Sequence, residues 1–125
     1  MAKRVLIVED HRVVRRLVGS MFERQGFEVS EAEDGAQGVE KAQRTNPDLV
    51  ILDLTMPVMN GLEAARALHK TRPQIPLLMF TNAAGASLER EAHSAGIAAV
   101  ICKSNSVDEL LSRAKALLTE HVHDA

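Results

Sequence analysis

One pattern recurs five times along this chain, a short apolar run followed by a stretch whose apolar residues return with the period of a helix. A short apolar run is ambiguous by itself, but β-branched residues and neighbouring turn residues favour a strand. We therefore predict five strands, at Val5–Val8, Phe27–Ser30, Leu49–Leu52, Pro76–Phe80 and Ala98–Cys102.

The stretches between and after these runs predict five helices. The first helix carries an apolar stripe from Val14 to Phe22, and Gly26 is placed for a left-handed helix end. The last helix begins with the capping-box pattern of Ser106 and Glu109. Three Ala-rich helices are predicted between them, near Ala36–Gln43, Leu62–Lys70 and Leu88–Ala95.

Strands that alternate with helices predict an α/β fold in which helices cover both faces of a parallel sheet. Right-handed crossovers then give a doubly wound, three-layer sandwich. The chain has 125 residues, of which 46% are hydrophobic, and it shows no repeat and no Pro/Gly/Ser-rich linker. We expect a single domain over residues 1–125, with a core from about residue 4 to residue 118 and no output domain.

Composition argues against several classes of protein. Aromatic residues make up 2% of the chain and the formal net charge is −2, so neither base stacking nor a basic patch for nucleic acid is expected. Cys102 is the single cysteine, which excludes an internal disulfide. The first apolar run meets Glu9 and Asp10 too early for a signal peptide or a membrane helix. We expect a cytoplasmic protein that contacts no membrane.

Polar residues follow all five predicted strands, but the second, which ends near Ser30 and Glu31, is an outer strand farther from the crevice. Glu9 and Asp10 follow the first, Asp53 the third, Thr81 the fourth and Lys103 the fifth. In sheets of this kind, ligands bind beyond the carboxyl ends of the strands. Clustered carboxylates need a nearby cation, and hard oxygen ligands suit Mg²⁺. The sequence therefore predicts a magnesium site at this end of the sheet.

The stretch VILDLTMP, residues 50–57, places Asp53 at the end of a run that otherwise reads as a buried strand. An aspartate can attack a phosphoryl group and hold it as an acyl phosphate. Thr81, Lys103 and a cation would surround the oxygens of such an anion. We predict that Asp53 is a phosphorylation site, with a purely structural role in a cap or turn as the alternative.

Simpler structural roles are expected for other polar residues. Asp10 is well placed to cap the first helix, which does not exclude a role in metal binding. Cys102 reads as a small buried apolar residue. The histidines read as solvated surface, at His11, His69, His93, His121 and His123.

Four segments resemble the response-regulator receiver domains of two-component signalling. These segments are VLIVEDH, PDLVILDLTMPVMNG, IPLLMFT and VICKS, and they lie in register with the five-unit pattern from about residue 4 to residue 118. The resemblance implies a flavodoxin-like sheet with the strand order 2-1-3-4-5. It also implies a response regulator, a phosphoprotein that takes part in a phosphorelay.

The resemblance implies roles at the acidic end of the sheet. Asp53 would accept phosphate from a sensor histidine kinase or a histidine phosphotransfer protein. Asp10, Asp53 and the backbone carbonyl of Thr55 would hold Mg²⁺, with Glu9 acting beside them through water.

The remaining implied roles concern the phosphate, the loop and the partner. Thr81 and Lys103 would contact the phosphoryl oxygens, while Pro57 and Gly61 would shape the loop after the phosphorylated strand. A downstream protein would bind the face formed by the fourth helix, fifth strand and fifth helix.

Three positions depart from the family pattern. Val100 stands where an aromatic switch residue is common, and a valine cannot move a ring between buried and exposed states. Ser104 replaces the proline that usually follows the lysine, so we expect a trans peptide bond before it. Asn82 is larger than the residue usually found after the threonine.

The leading prediction is a phosphoacceptor signalling module and not a metabolic enzyme. One alternative is a receiver-like interaction module that works without phosphate; the departures at Val100 and Ser104 give it weak support, and the intact set of acidic residues argues against it. A less favoured alternative is an aspartate-nucleophile phosphohydrolase, in which an acidic residue usually stands where Thr55 lies. A P-loop NTPase is excluded because no GxxxxGK[ST] segment is present.

Overall fold

In a computed structural model of the chain, residues 2–123 are described, with side chains described for residues 2–119. Five strands alternate with five helices. The strands are β1 (Arg4–Val8), β2 (Glu28–Ala32), β3 (Leu49–Leu52), β4 (Leu77–Thr81) and β5 (Ala99–Cys102). The helices are α1 (Arg12–Arg24), α2 (Gly35–Thr45), α3 (Gly61–Thr71), α4 (Ala86–Ser94) and α5 (Val107–His123).

The strands form one parallel sheet in the order β2-β1-β3-β4-β5, which confirms the predicted fold and strand order. Val8 of β1 pairs with Leu52 of β3, and Thr81 of β4 pairs with Cys102 of β5. The carboxyl ends of β1 and β3 are therefore level, as are those of β4 and β5, and β4 extends two residues beyond the end of β3. Residues that directly follow them emerge at one edge of the sheet.

Alternate strand residues enter two separate cores, one on each face of the sheet. Leu6 and Leu52 pack on one face with side chains of α2, α3 and α4. Ile7 and Ile51 pack on the other face with side chains of α1 and α5. Both faces of the central strands are buried, so these strands read as continuous apolar runs in the sequence.

The predicted strand ends match the structure to within one or two residues, and the predicted Pro76–Phe80 is observed as Leu77–Thr81. Leu49–Leu52 is confirmed residue for residue, whereas the predicted Phe27–Ser30 is observed as Glu28–Ala32. β2 is an edge strand, and because its sequence mixes polar and apolar residues, no continuous apolar run marks where it ends. Gly26 has φ +91° directly after the end of α1, as its position predicted.

The predicted cap of the first helix was wrong. The residue that precedes α1 is His11 and not Asp10, and no side-chain cap bond is made there. The backbone N–H of His11 donates instead to the carboxylate of Glu9, at 3.0 Å. The predictions for His121 and His123 concern side chains outside the described residues.

Candidate functional site

Asp53 directly follows β3, and 6% of its surface is exposed. Its Oδ2 accepts a hydrogen bond from Lys103 Nζ at 3.0 Å, and its Oδ1 accepts one from the N–H of Leu54 at 2.7 Å. Its own N–H donates to the carbonyl of Val8, which continues the pairing of β1 with β3 beyond their ends. The carboxylate is therefore held by Lys103 and the Leu54 N–H, while the backbone of Asp53 is anchored to the end of β1.

Lys103 brings one positive charge between two buried carboxylates. Its Nζ lies 2.6 Å from Glu9 Oε1 in addition to its bond to Asp53, and its backbone N–H donates to the carbonyl of Thr81. Burial lowers the pKa of Lys103, but the hydrogen bonds to Glu9 and Asp53 outweigh this effect and raise the pKa above its ordinary value. The ammonium therefore stays charged at neutral pH.

Asp10 and His11 form the outer part of the acidic cluster. Asp10 Oδ1 is shielded from solvent and has no hydrogen-bond partner among the described residues. His11 Nδ1 lies 3.3 Å from this oxygen and 3.4 Å from Glu9 Oε2. The prediction that His11 lies on the solvated surface is confirmed, since 72% of its side chain is exposed, but its ring also contacts the two carboxylates. The sequence analysis did not predict these contacts, because adjacency to Asp10 does not show which way the ring of His11 turns.

An open cavity of about 300 Å³ lies at this edge of the sheet. The predicted site residues that line it are Asp10, Asp53, Thr55, Thr81 and Lys103, and His11 and Asn82 also line it. Glu9 is not part of this lining, but its carboxylate is bonded to Lys103. The convergence expected from the strand-end rule is thus present in the structure, while the role of each residue stays a prediction.

The loop after β3 depends on two close backbone approaches. A Cβ atom added to Gly61 would lie 2.1 Å from the carbonyl oxygen of Asp53, so only glycine fits there. Gly35 has the same relation to the carbonyl oxygen of Met59, to which its N–H donates at 3.1 Å. Gly61 was predicted as a loop-shaping residue, whereas Gly35 was missed because nothing in the sequence shows which loop a helix start touches. Pro57 is exposed in this loop.

The residues around the last strand show mixed outcomes. Val100 is half-buried in β5, and no cis peptide bond occurs among the described residues, so the bond before Ser104 is trans as expected. Cys102 is half-buried rather than buried, and its Sγ lies 3.0 Å from Ser104 Oγ. The hydrogen bond from the Ser104 side chain, followed by that from its backbone, lowers the pKa of the thiol. Thr81 is buried, and its Oγ1 accepts a hydrogen bond from the N–H of Ala83 at 3.3 Å.

Comparison with known proteins decides the family. The family model described as the response regulator receiver domain matches residues 5–115. This chain belongs to that family. Receiver domains are signalling modules of two-component systems and not metabolic enzymes in the ordinary sense.

Curated relatives resemble this receiver domain over most of its length. The chemotaxis protein CheY of Bacillus subtilis is 38% identical over 112 residues, which are 89% of this chain and 93% of that protein. The response regulator MprA of Mycobacterium sp. (strain KMS) is 34% identical over 118 residues, which are 94% of this chain. The chain spans 51% of the length of MprA, and 58% of the length of a Pseudomonas aeruginosa regulator that is 36% identical to it.

Solved receiver domains share the fold. A CheY-like receiver domain from Methanospirillum hungatei JF-1 is 29% identical and superposes with a TM-score of 0.95, with all of both chains covered. A two-component response regulator of the LuxR family from Aurantimonas sp. SI85-9A1 is 31% identical, with a TM-score of 0.90 over 96% of this chain and 87% of that one.

Among the described residues, no helix combines the length and the apolar character needed to span a bilayer.

Proposed function

We propose that this receiver domain accepts a phosphoryl group on Asp53 from a phosphohistidine of a sensor kinase or of a histidine phosphotransfer protein. A carboxylate oxygen of Asp53 attacks phosphorus, a P–O bond forms, the P–N bond breaks, and the donor imidazole leaves with the electron pair. The observation that carries this proposal is the buried Asp53 carboxylate, which lies 3.0 Å from the Lys103 ammonium and lines an open cavity.

The donor set fits a magnesium ion. Asp10 Oδ1 is a shielded oxygen without a hydrogen-bond partner among residues 2–119, and a bound cation would satisfy it. Asp10, Asp53 and the carbonyl of Thr55 would hold the ion, with Glu9 acting through water. When bound, Mg²⁺ neutralises part of the charge on the phosphoryl oxygens.

The other residues of the cavity position and neutralise the phosphoryl group. Lys103 pairs with Asp53 before the reaction, and the same ammonium donates to a phosphoryl oxygen afterwards. Thr81 donates its hydroxyl hydrogen to another phosphoryl oxygen. Gly61 keeps the loop after β3 close to the Asp53 backbone, so that the carboxylate stays at the cavity.

We propose that phosphorylation shifts a pre-existing conformational equilibrium and changes binding of a downstream protein in the cytoplasm. The proposed face consists of α4, β5 and α5. A cavity of about 220 Å³ there is lined by residues of all three elements, including Glu89, His93, Val100 and Arg113. Val100 has no ring that could reorient. We therefore propose that the signal reaches this face through Thr81 and through the backbone hydrogen bond from Lys103 to the Thr81 carbonyl.

Phosphoryl transfer is tested by intact mass spectrometry with acetyl phosphate and Mg²⁺, and with EDTA as the control. We expect one phosphoryl group on the wild-type protein, none with EDTA and none on Asp53→Asn. Asp108→Asn is the matched control, because Asp108 is exposed in the first turn of α5, and it should label normally.

Labelling that persists in Asp53→Asn would identify a different acceptor. Absence of labelling in the wild-type protein would instead favour an interaction module that works without phosphate.

A further inference from the structure

We infer that His11 supplies a nitrogen ligand to the divalent cation held by the acidic cluster, an inference that rests on the cation site of the proposed function. The consequence concerns metal choice. The site would favour first-row transition ions over Mg²⁺ more strongly than a site of carboxylates alone, because imidazole nitrogen suits these ions and Mg²⁺ prefers oxygen.

The first support is the geometry of the donor atoms. His11 Nδ1 lies 3.3 Å from Asp10 Oδ1 and 3.4 Å from Glu9 Oε2. Two ligands at right angles around a small divalent ion, each about 2.1 Å from it, lie about 3 Å from each other. One ligand atom from each of Glu9, Asp10 and His11 falls within 4.8 Å of the others. A small movement of the exposed His11 side chain therefore brings its nitrogen and a carboxylate oxygen to one ion.

The second support is the unsatisfied oxygen. Asp10 Oδ1 is shielded from water and lacks a hydrogen-bond partner within the described part of the chain, and the atom facing it is His11 Nδ1. A cation between these two atoms would pair with a lone pair of each. His11 also lines the same cavity as Asp53 and Thr55, so it belongs to the proposed ion site and not to a separate surface.

The third support is that the backbone of His11 is fixed before any ion binds. Its N–H donates to Glu9 Oε2 at 3.0 Å, and its carbonyl accepts the N–H of Arg15 in the first turn of α1, at 2.9 Å. Arg15 in turn donates from its guanidinium to the Glu9 carbonyl at 2.8 Å. Coordination of an ion would therefore have to order only the side chain of His11 and not its backbone.

The decisive experiment is pulsed electron paramagnetic resonance on the full chain with Mn²⁺ bound. A nitrogen bound directly to Mn²⁺ couples strongly to the electron spin and modulates the echo. We expect this modulation in the wild-type protein and in His69→Gln, and its loss in His11→Gln. His69 is the matched control because it is an exposed histidine on α3, outside the acidic cluster.

Calorimetric titration gives a second, independent measurement. His11→Gln should weaken Co²⁺ binding by about 10-fold, the lower end of the losses seen when a metal-supporting residue is removed, while Mg²⁺ affinity changes by less than about 2-fold. The variant should fold normally, because 72% of the His11 side chain is exposed.

The outcomes separate this inference from the proposed function. Bound Mn²⁺ without nitrogen modulation in the wild-type protein, or modulation that survives in His11→Gln, overturns the role of His11 and leaves phosphorylation of Asp53 intact. Failure of the wild-type protein to bind either Mn²⁺ or Mg²⁺ overturns the cation site itself. Acetyl-phosphate labelling of the wild-type protein then shows whether Asp53 reacts without the ion.

Discussion

Val58 has a backbone conformation that its side chain disfavours. It lies in the loop between β3 and α3 with φ +70°, and it is 83% exposed. The left-handed region costs an ordinary residue about 1–2 kcal/mol, and a β-branched side chain is unusual there. Because the side chain is largely exposed, packing offsets little of that cost.

Replacing Val58 with asparagine should therefore stabilise the protein. We expect Val58→Asn to raise the free energy of unfolding by about 1 kcal/mol, because asparagine tolerates this conformation better than valine. Urea denaturation measures the change. Val13→Asn is the matched control: Val13 is 81% exposed but lies in α1, where valine and asparagine have similar helix propensities. Equal effects at both positions would refute the strain at Val58.

Site residues differ in how far the sequence reveals them. Asp53 and Lys103 could be selected from many charged residues, because the parallel sheet aims the ends of its strands at one edge. His11 could not be selected by that rule, since its contacts with Glu9 and Asp10 depend on how its ring turns. The clash that reserves position 35 for glycine involves Met59, a contact between distant segments that no local pattern records.

At the level of elements, the starts of α3 and α5 show that a capping pattern in the sequence does not always predict the best cap in the structure. The Ser106 pattern before α5 is present, but the distance from the Glu109 nitrogen to Ser106 Oγ is a long 3.4 Å. A better cap precedes α3, where Asn60 Oδ1 accepts from the N–H of Glu63 at 2.9 Å. The Glu63 side chain accepts from the N–H of Asn60 at 3.0 Å, which completes a capping box. Asparagine in place of serine or threonine made this box harder to predict from the sequence.

The two caps should differ in their contribution to stability. We expect Asn60→Ala to lower the free energy of unfolding by about 1 kcal/mol, and Ser106→Ala to lower it by less than about 0.5 kcal/mol. Urea denaturation of the two variants beside the wild-type protein makes the comparison. A larger loss in Ser106→Ala would show that the cap at α5 is the stronger one in solution.

At the scale of the whole molecule, Lys103 links distant parts of the fold. Its ammonium joins Glu9, 94 residues away along the chain, to Asp53, 50 residues away, and its backbone binds the end of β4. The layer order and the parallel sheet were predictable because the strand–helix alternation allows few other arrangements. The strand order came from the resemblance to a family, since the alternation alone does not decide which strands are neighbours.

This linkage predicts how stability depends on pH. The pKa of Lys103 is raised in the folded protein, so its contribution is complete well below the ordinary lysine pKa of about 10.4 and is lost as pH rises through the folded-state pKa. At pH 8, Lys103→Met should lower the free energy of unfolding by about 3 kcal/mol, because it leaves buried carboxylates without a counter-charge.

The difference in the free energy of unfolding between the wild-type protein and Lys103→Met should be smaller at pH 11.5 than at pH 8. Urea denaturation at both pH values measures it. Lys115→Met removes one exposed lysine and serves as the control for net charge. If this difference in unfolding free energy is the same at both pH values, the proposed coupling of the Lys103 ammonium to Glu9 and Asp53 is contradicted.

The long reach from Glu9 to Lys103 also has a consequence for synthesis. A ribosome that has made only the first half of this protein has already produced the carboxylates that follow β1 and β3, yet it has not produced the amine that lies between them. The nascent chain thus carries acids without their counter-ion until the codons for β5 have been translated. Completion of the charge balance coincides with completion of the sheet.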